Sequence, residues 1–244
     1  MATARRKKPT KKSGTTTKAR LGPIALLRRV LWGTVFGVIG FVVLATVFYA
    51  FVNPPTTPYM FSESRRLGGI DREWVAIENI APVMARSAVA AEDANFCLHW
   101  GLDVKAIRDA LDNGGAGGAS TISQQVVKNV YLWHGRSWPR KALEAVWTPL
   151  TEAIWTKSRI IELYLNIAEF DEGVFGVQAA AQHYFGVDAA DLTARQSARL
   201  AAILPAPKSR SASNPSNAVR RRAAGIMDGA ATILVDGRAD CFGR

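Results

Sequence analysis

Apolar residues recur at spacings of three and four along most of this chain, the period of amphipathic helices, and one stretch drops periodicity altogether. Leu31 to Val52 is 22 residues without a charge. At about 1.5 Å rise per residue such a helix crosses a hydrocarbon core of about 30 Å. Trp32 and Tyr49 lie near its two ends, where aromatic rings favour the headgroup zone. The Pro-rich run Asn53 to Tyr59 cannot continue it. From about residue 71 the pattern predicts helices over Pro82–Glu92, Asp103–Leu111, from Thr121 onward with Gln124 as capping-box partner, and over Trp138–Trp155 behind a Ser137 cap, with a kink or break at Pro149. Further helices follow over Arg159 to about Phe170 behind Ser158, with Ile160, Ile161, Tyr164, Leu165 and Ile167 as core, and over Val177–Tyr184 and Thr193–Leu204. Asp112–Gly118 reads as a flexible loop. No alternating pattern longer than a few residues argues for strands. The chain is therefore expected to be mainly α, with a tail at 1–30, a transmembrane helix at 31–52, a linker at 53–69 and a folded domain at 70–244.

Charge changes this picture only at one end. The formal net charge is +11, yet ten of the 31 Lys and Arg fall in residues 1–29, which hold no acid, and the rest is nearly neutral at +1. This distribution argues against nucleic-acid binding, and the run Arg220–Arg222 reads as a solvated helix face. A basic flank before an apolar span predicts a cytoplasmic N-terminus and an exported domain. A cleaved signal peptide is the rival reading, opposed by the length of the apolar run. The two cysteines, Cys97 and Cys241, are far apart in sequence and make no disulfide framework.

Three segments carry candidate chemistry. Glu92 and Asp93 are adjacent and cannot share a helix face, so one is expected to enter a site while the other braces a loop. Glu92 has the character of a general base if partial burial raises its pKa, and the competing reading is a solvated acidic helix end. Gly117, Gly118, Ala119 and Ser120 leading into Thr121 form a Gly-rich approach to a helix start, either an arrangement that favours anions, with Lys128 seven residues on along the face of Gln124 and Gln125, or a flexible turn followed by a capped helix. Arg140, Lys141 and Glu144 are spaced so that both cations reach the acid from one helix face, either as a surface ion-pair set or as a phosphate-binding group. His99 reads as structural, and His134 and His183 as surface. No metal-ligand spacing is present.

Taken in order, five segments resemble the glycosyltransferase family 51 domain, the peptidoglycan transglycosylases, in its monofunctional biosynthetic form. They are E-D-A-N-F-C-L-H-W-G-L-D from Glu92, G-A-S-T-I-S-Q-Q-V-V-K-N from Gly118, G-R-S-W-P-R-K-A-L-E from Gly135, K-S-R-I-I-E-L-Y-L-N-I-A-E-F from Lys157 and L-A-A-I-L-P-A-P from Leu200. The resemblance implies a lysozyme-like, mainly helical fold with a membrane-associated jaw lobe, set in the bacterial inner membrane. It implies a donor in the lipid-diphosphate-linked glycan chain, an acceptor in lipid II, and no organic cofactor, with a divalent cation (Mg or Mn) as a candidate ion. Penicillin-binding proteins and division proteins are the implied partners. Glu92 matches the family's general base and Glu144 its second glutamate. Lys128, Arg136, Arg140 and Lys141 match diphosphate-neutralising positions, while Ser120, Thr121, Gln124 and Gln125 match a polar motif lining the donor cleft. No Ser is followed three residues later by Lys, so no transpeptidase is expected. The rival readings are a lysozyme-like enzyme that cleaves peptidoglycan and a non-catalytic membrane-anchored partner.

Overall fold

The structure, a computed structural model, describes residues 22–112, 120–135 and 137–243. The chain divides into two compact units, residues 1–42 and 43–244. The described part of the first is helical: α1 (Pro23–Phe51) starts ahead of the apolar run, with Pro at its first position, and runs on into the second unit. Its 29 residues include an 18-residue window with a mean hydropathy of 2.3, which suits a membrane span by length and composition. In the second unit the last turns of α1 are anchored by side chains: Trp155 Nε1 donates to the Thr46 carbonyl at 2.7 Å, and Arg159 to the Tyr49 carbonyl at 3.0 Å.

The stretch expected as a linker contains α2 (Pro58–Leu67). Thr57 caps it, Pro58 occupies its first turn and Gly68 closes it in the left-handed conformation, so the last proline of the run starts a helix. Met60 is fully buried. Eight more helices follow among the described residues: α3 (Pro82–Glu92), α4 (Val104–Asp112), α5 (Ile122–Tyr131), α6 (Trp138–Ile154), α7 (Lys157–Ile167), α8 (Val177–Phe185), α9 (Ala194–Ile203) and α10 (Asn217–Val235). The expected core residues of α7 are all buried. Its cap is Thr156, whose side chain accepts from Arg159 N, and not Ser158. Pro149 lies inside α6 without ending it, and Ser137 sits at the N-cap position without a capping hydrogen bond.

Three short strands, β1 (Asp71–Arg72), β2 (Glu169–Asp171) and β3 (Val174–Phe175), form a sheet in the order β1-β3-β2, with β1 parallel and β2 antiparallel to β3. Strands of two or three residues are too short to show alternation, so the sequence pattern did not reveal them. Helices α3, α9 and α10 pack together, and α5 packs against α6 and α7. Small side chains such as Ala85, Ala88, Ala198, Ala201 and Ala223 fill the first group and let the axes approach. At Gly229 of α10 an added Cβ would lie 3.2 Å from Ala90 Cβ of α3. Cys97 and Cys241, whose pairing the sequence leaves open, form a disulfide across 144 residues, with Cα atoms 5.7 Å apart.

Candidate active site

Helix α3 ends at Glu92, which places its carboxylate where the backbone dipole disfavours negative charge. Oε2 accepts from Gln125 Nε2 at 3.1 Å. Oε1 is buried without a hydrogen-bond partner among the described residues, and Arg222 Nη2 stands 3.5 Å from it. Burial raises the pKa of Glu92, opposed by the Gln125 bond and by the charges of Arg222 and Lys128. The alternative of a solvated acidic pair therefore does not describe this residue.

Asp93 braces the loop, as expected. Its Oδ2 accepts from Ile122 N at 3.0 Å, and its Oδ1 lies 2.8 Å from His99 Nε2. The helix start expected to receive a substrate anion is thus occupied by the protein's own carboxylate. Thr121 and Gln124 complete that helix start as a reciprocal capping box, and Thr121 Oγ1 also donates to the Gly101 carbonyl at 2.5 Å. Both are buried and hold α5 in place. Gly101 is required here: its φ is +80°, and a Cβ would meet Thr148 Cγ2 at 2.5 Å. Gly117, Gly118, Ala119 and Arg136 lie outside the described residues.

The second glutamate sits one helix away. Glu144 is 2 % exposed, Arg140 Nη1 pairs with its Oε1, and Lys141 Nζ lies 3.1 Å from its Oε2. Lys141 also donates to Ser120 Oγ at 2.9 Å, bringing Ser120 into the same cluster. Lys128 has no ion pair among the described residues. Burial lowers its pKa first and the Arg140 charge adds to this, while Glu92 opposes. Lys141 is shifted down in the same way, by burial and by Arg140 and Lys128. Arg140 and Lys141 thus share the one carboxylate of Glu144, with the unpaired Lys128 electrostatically coupled to both cations in a partly desolvated region, a surplus that a bound anion relieves.

Gln125 and Lys128 line a cleft of about 400 Å³ together with Tyr59, His134, Tyr164 and Lys208. Tyr59 Oη donates to Glu169 Oε2 at 2.6 Å, and burial, then this bond, pushes the phenol up to about 12. His134 is exposed, as expected of a surface residue, yet its ring stacks on Tyr59 with centroids 3.5 Å apart and borders the cleft. Partial burial, then the Lys128 and Arg140 charges, pull its pKa down to about 4. Arg222, Tyr59 and Lys208 did not emerge as site residues from the sequence. Arg222 carried only the signal of a basic run, and Tyr59 lay in the supposed linker.

The described residues do not fit a metal centre. No group of three His, Cys, Asp or Glu converges among them, and both oxygens of Glu144 are taken by cations. Among the described residues a Mg or Mn ion therefore has no ligand set.

The family model described as transglycosylase matches residues 62–231. The chain belongs to the transglycosylase family. It is 59% identical over 239 residues to the biosynthetic peptidoglycan transglycosylase of Jannaschia sp. (strain CCS1), covering 98% of this chain and 99% of that protein. It is 44% identical to the protein of the same description from Caulobacter vibrioides, over 88% and 96% of the two chains. The match begins inside α2 and runs into α10, so it takes in residues 62–69 of the stretch expected as a linker and part of the helix that carries Arg222.

Proposed function

We propose that this chain is a peptidoglycan glycosyltransferase that polymerises lipid II into β-1,4 glycan strands, releasing undecaprenyl diphosphate with inversion at the donor sugar. The observation that carries this reading is Lys128, which is within electrostatic reach both of the buried Glu92 and of Arg140 in the cation cluster. A base for a sugar hydroxyl and a receptor for a departing diphosphate are thus held side by side. The Glu92 carboxylate, buried and raised in pKa, takes the proton of the acceptor's 4-hydroxyl as that oxygen attacks the donor's anomeric carbon. Negative charge then develops on the diphosphate, and Lys128, Arg140 and Lys141 stabilise it more in the transition state than in the ground state. Arg136 joins them by its family match, and Ser120 orients Lys141. Glu144 acts through Arg140 and Lys141 as a positioning residue. Cleavage of a neutral glycosidic bond would instead need an acid beside the leaving oxygen, and the cation surplus would have no use.

We place the catalytic domain in the periplasm, with α1 as a single-pass anchor in the inner membrane and the N-terminus in the cytoplasm. The basic tail supports this orientation, as does the Cys97–Cys241 disulfide, a bond suited to an oxidising compartment. Leu98, Trp100, Val104, Trp138 and Val146 are exposed apolar side chains of the kind a membrane-associated lobe would use. With purified protein and lipid II in Mg²⁺, wild type should give glycan polymer and free lipid diphosphate, and Glu92→Gln should lose roughly 10²- to 10⁴-fold of the rate. Soluble fragments released from finished peptidoglycan would instead establish a cleaving enzyme.

A further inference from the structure

Glu92 is followed by irregular chain up to α4, and a base must stay within about 2.6–3.2 Å of the proton it removes. On one side this loop is tied to α5 through Asp93 and through the Thr121 bond to Gly101. On the other side it is held by the end of the chain. After α10, residues 236–243 turn back: Arg238 Nη1 donates to the Ala94 carbonyl at 3.1 Å and Cys241 is bonded to Cys97. Phe242 packs on the buried Phe96 with ring centroids 6.0 Å apart. Within α10, Arg222 donates to the Ala91 carbonyl at 3.2 Å, and Gly229 lets the helix close on Ala90. Each of these attachments made by α10 and the residues after it falls on residues 90–97, which bracket Glu92.

We propose that residues 236–243, closed by the Cys97–Cys241 bond, are a strap that positions the Glu92 carboxylate and keeps water from it. This rests on Glu92 being the base. The cross-link closes a long loop, so its removal frees the tail and with it the outer wall of the Glu92 loop. Water reaching Oε1 then removes part of the burial that raises the carboxyl's pKa. The other groups facing Glu92 stay in place: Gln125 and Lys128 from α5, Arg222 from α10, Asp93 from the loop and Tyr164 from α7.

The test uses the full chain in detergent with lipid II, comparing oxidised wild type, wild type reduced and alkylated, Cys97→Ser/Cys241→Ser, and Arg238→Ala. The strap predicts a kcat lower by roughly tenfold after loss of the disulfide. It predicts an unchanged KM for lipid II and an acid limb of the kcat–pH profile displaced to lower pH. Arg238→Ala, which keeps the disulfide, should shift both quantities in the same directions by less, and it serves where the double variant folds poorly. A lower melting temperature with unchanged kcat and acid limb, measured well below melting, would reduce the strap to a stabilising cross-link and overturn the proposal. Polymerisation retained by Glu92→Gln would overturn the base assignment beneath it, an outcome distinct from the first.

Discussion

Two glutamates of the candidate site have opposite surroundings. Glu92 ends a helix, has one oxygen buried without a hydrogen bond, and meets a guanidinium only at 3.5 Å. Glu144 lies within α6, is as buried as a core residue, and has each oxygen on a different cation. The first environment favours taking up a proton, and the second favours a fixed charge that organises other charges. Residue type alone therefore does not assign the role; the environment separates a base from a positioning acid.

The largest expected effect separates the two by stability. Glu144→Gln leaves Arg140 and Lys141 crowded against each other, and breaking a buried pair from one side costs about 3–5 kcal/mol. The partial exposure of Lys141 places the expected loss at the lower end, about 3 kcal/mol. Glu92→Gln removes a carboxylate that burial already disfavours, so the folded protein should be as stable as wild type or more so at neutral pH. Thermal melts of the two variants at one pH check this. Equal destabilisation would erase the distinction drawn between the sites. Turnover should fall in both variants.

A smaller effect sharpens the Glu92 side. Arg222 lowers the pKa of Glu92 by its charge, against the larger effect of burial. Arg222→Ala should therefore move the acid limb of the kcat–pH profile to higher pH, opposite in sign to loss of the strap. A shift to lower pH, or none, would show that Arg222 does not act on the carboxylate through its charge.

How far the sequence revealed this contrast depends on the distance over which each part is built. The bounds of α3, the capping box of Thr121 and Gln124, and the Arg140–Lys141–Glu144 group are encoded within one or two turns, and all form as their spacing implies. The bracing role of Asp93 followed from its being adjacent to Glu92. What local pattern could not show was made by distant segments. Arg222 reaches Glu92 because α10 packs on α3, Tyr59 enters the cleft because α2 folds onto the core, and Cys241 meets Cys97 across 144 residues. The carboxylate at the start of α5 was out of reach of local pattern for the same reason: Asp93 lies 29 residues away from Ile122 in sequence, and its Oδ2 lies 3.0 Å from Ile122 N in space.

The smallest effect is a pH dependence of stability confined to Glu92. Its folded-state pKa is raised, by burial first, so between its unfolded value of about 4.3 and its folded value the native protein holds more protons than the unfolded one. Stability from this residue is then fully present below the unfolded pKa and is lost as pH rises through the folded pKa. Glu92→Gln does not titrate, so the difference in melting temperature between variant and wild type should be smallest in acid. It should widen in the variant's favour as pH rises and level off once Glu92 is ionised. Glu144→Gln should show no such widening in its own favour, because the carboxylate it removes is held by Arg140 and Lys141. A Glu92→Gln difference that is flat across this range would mean that burial does not act on the Glu92 carboxylate, and the environment that distinguishes it from Glu144 would have no thermodynamic expression.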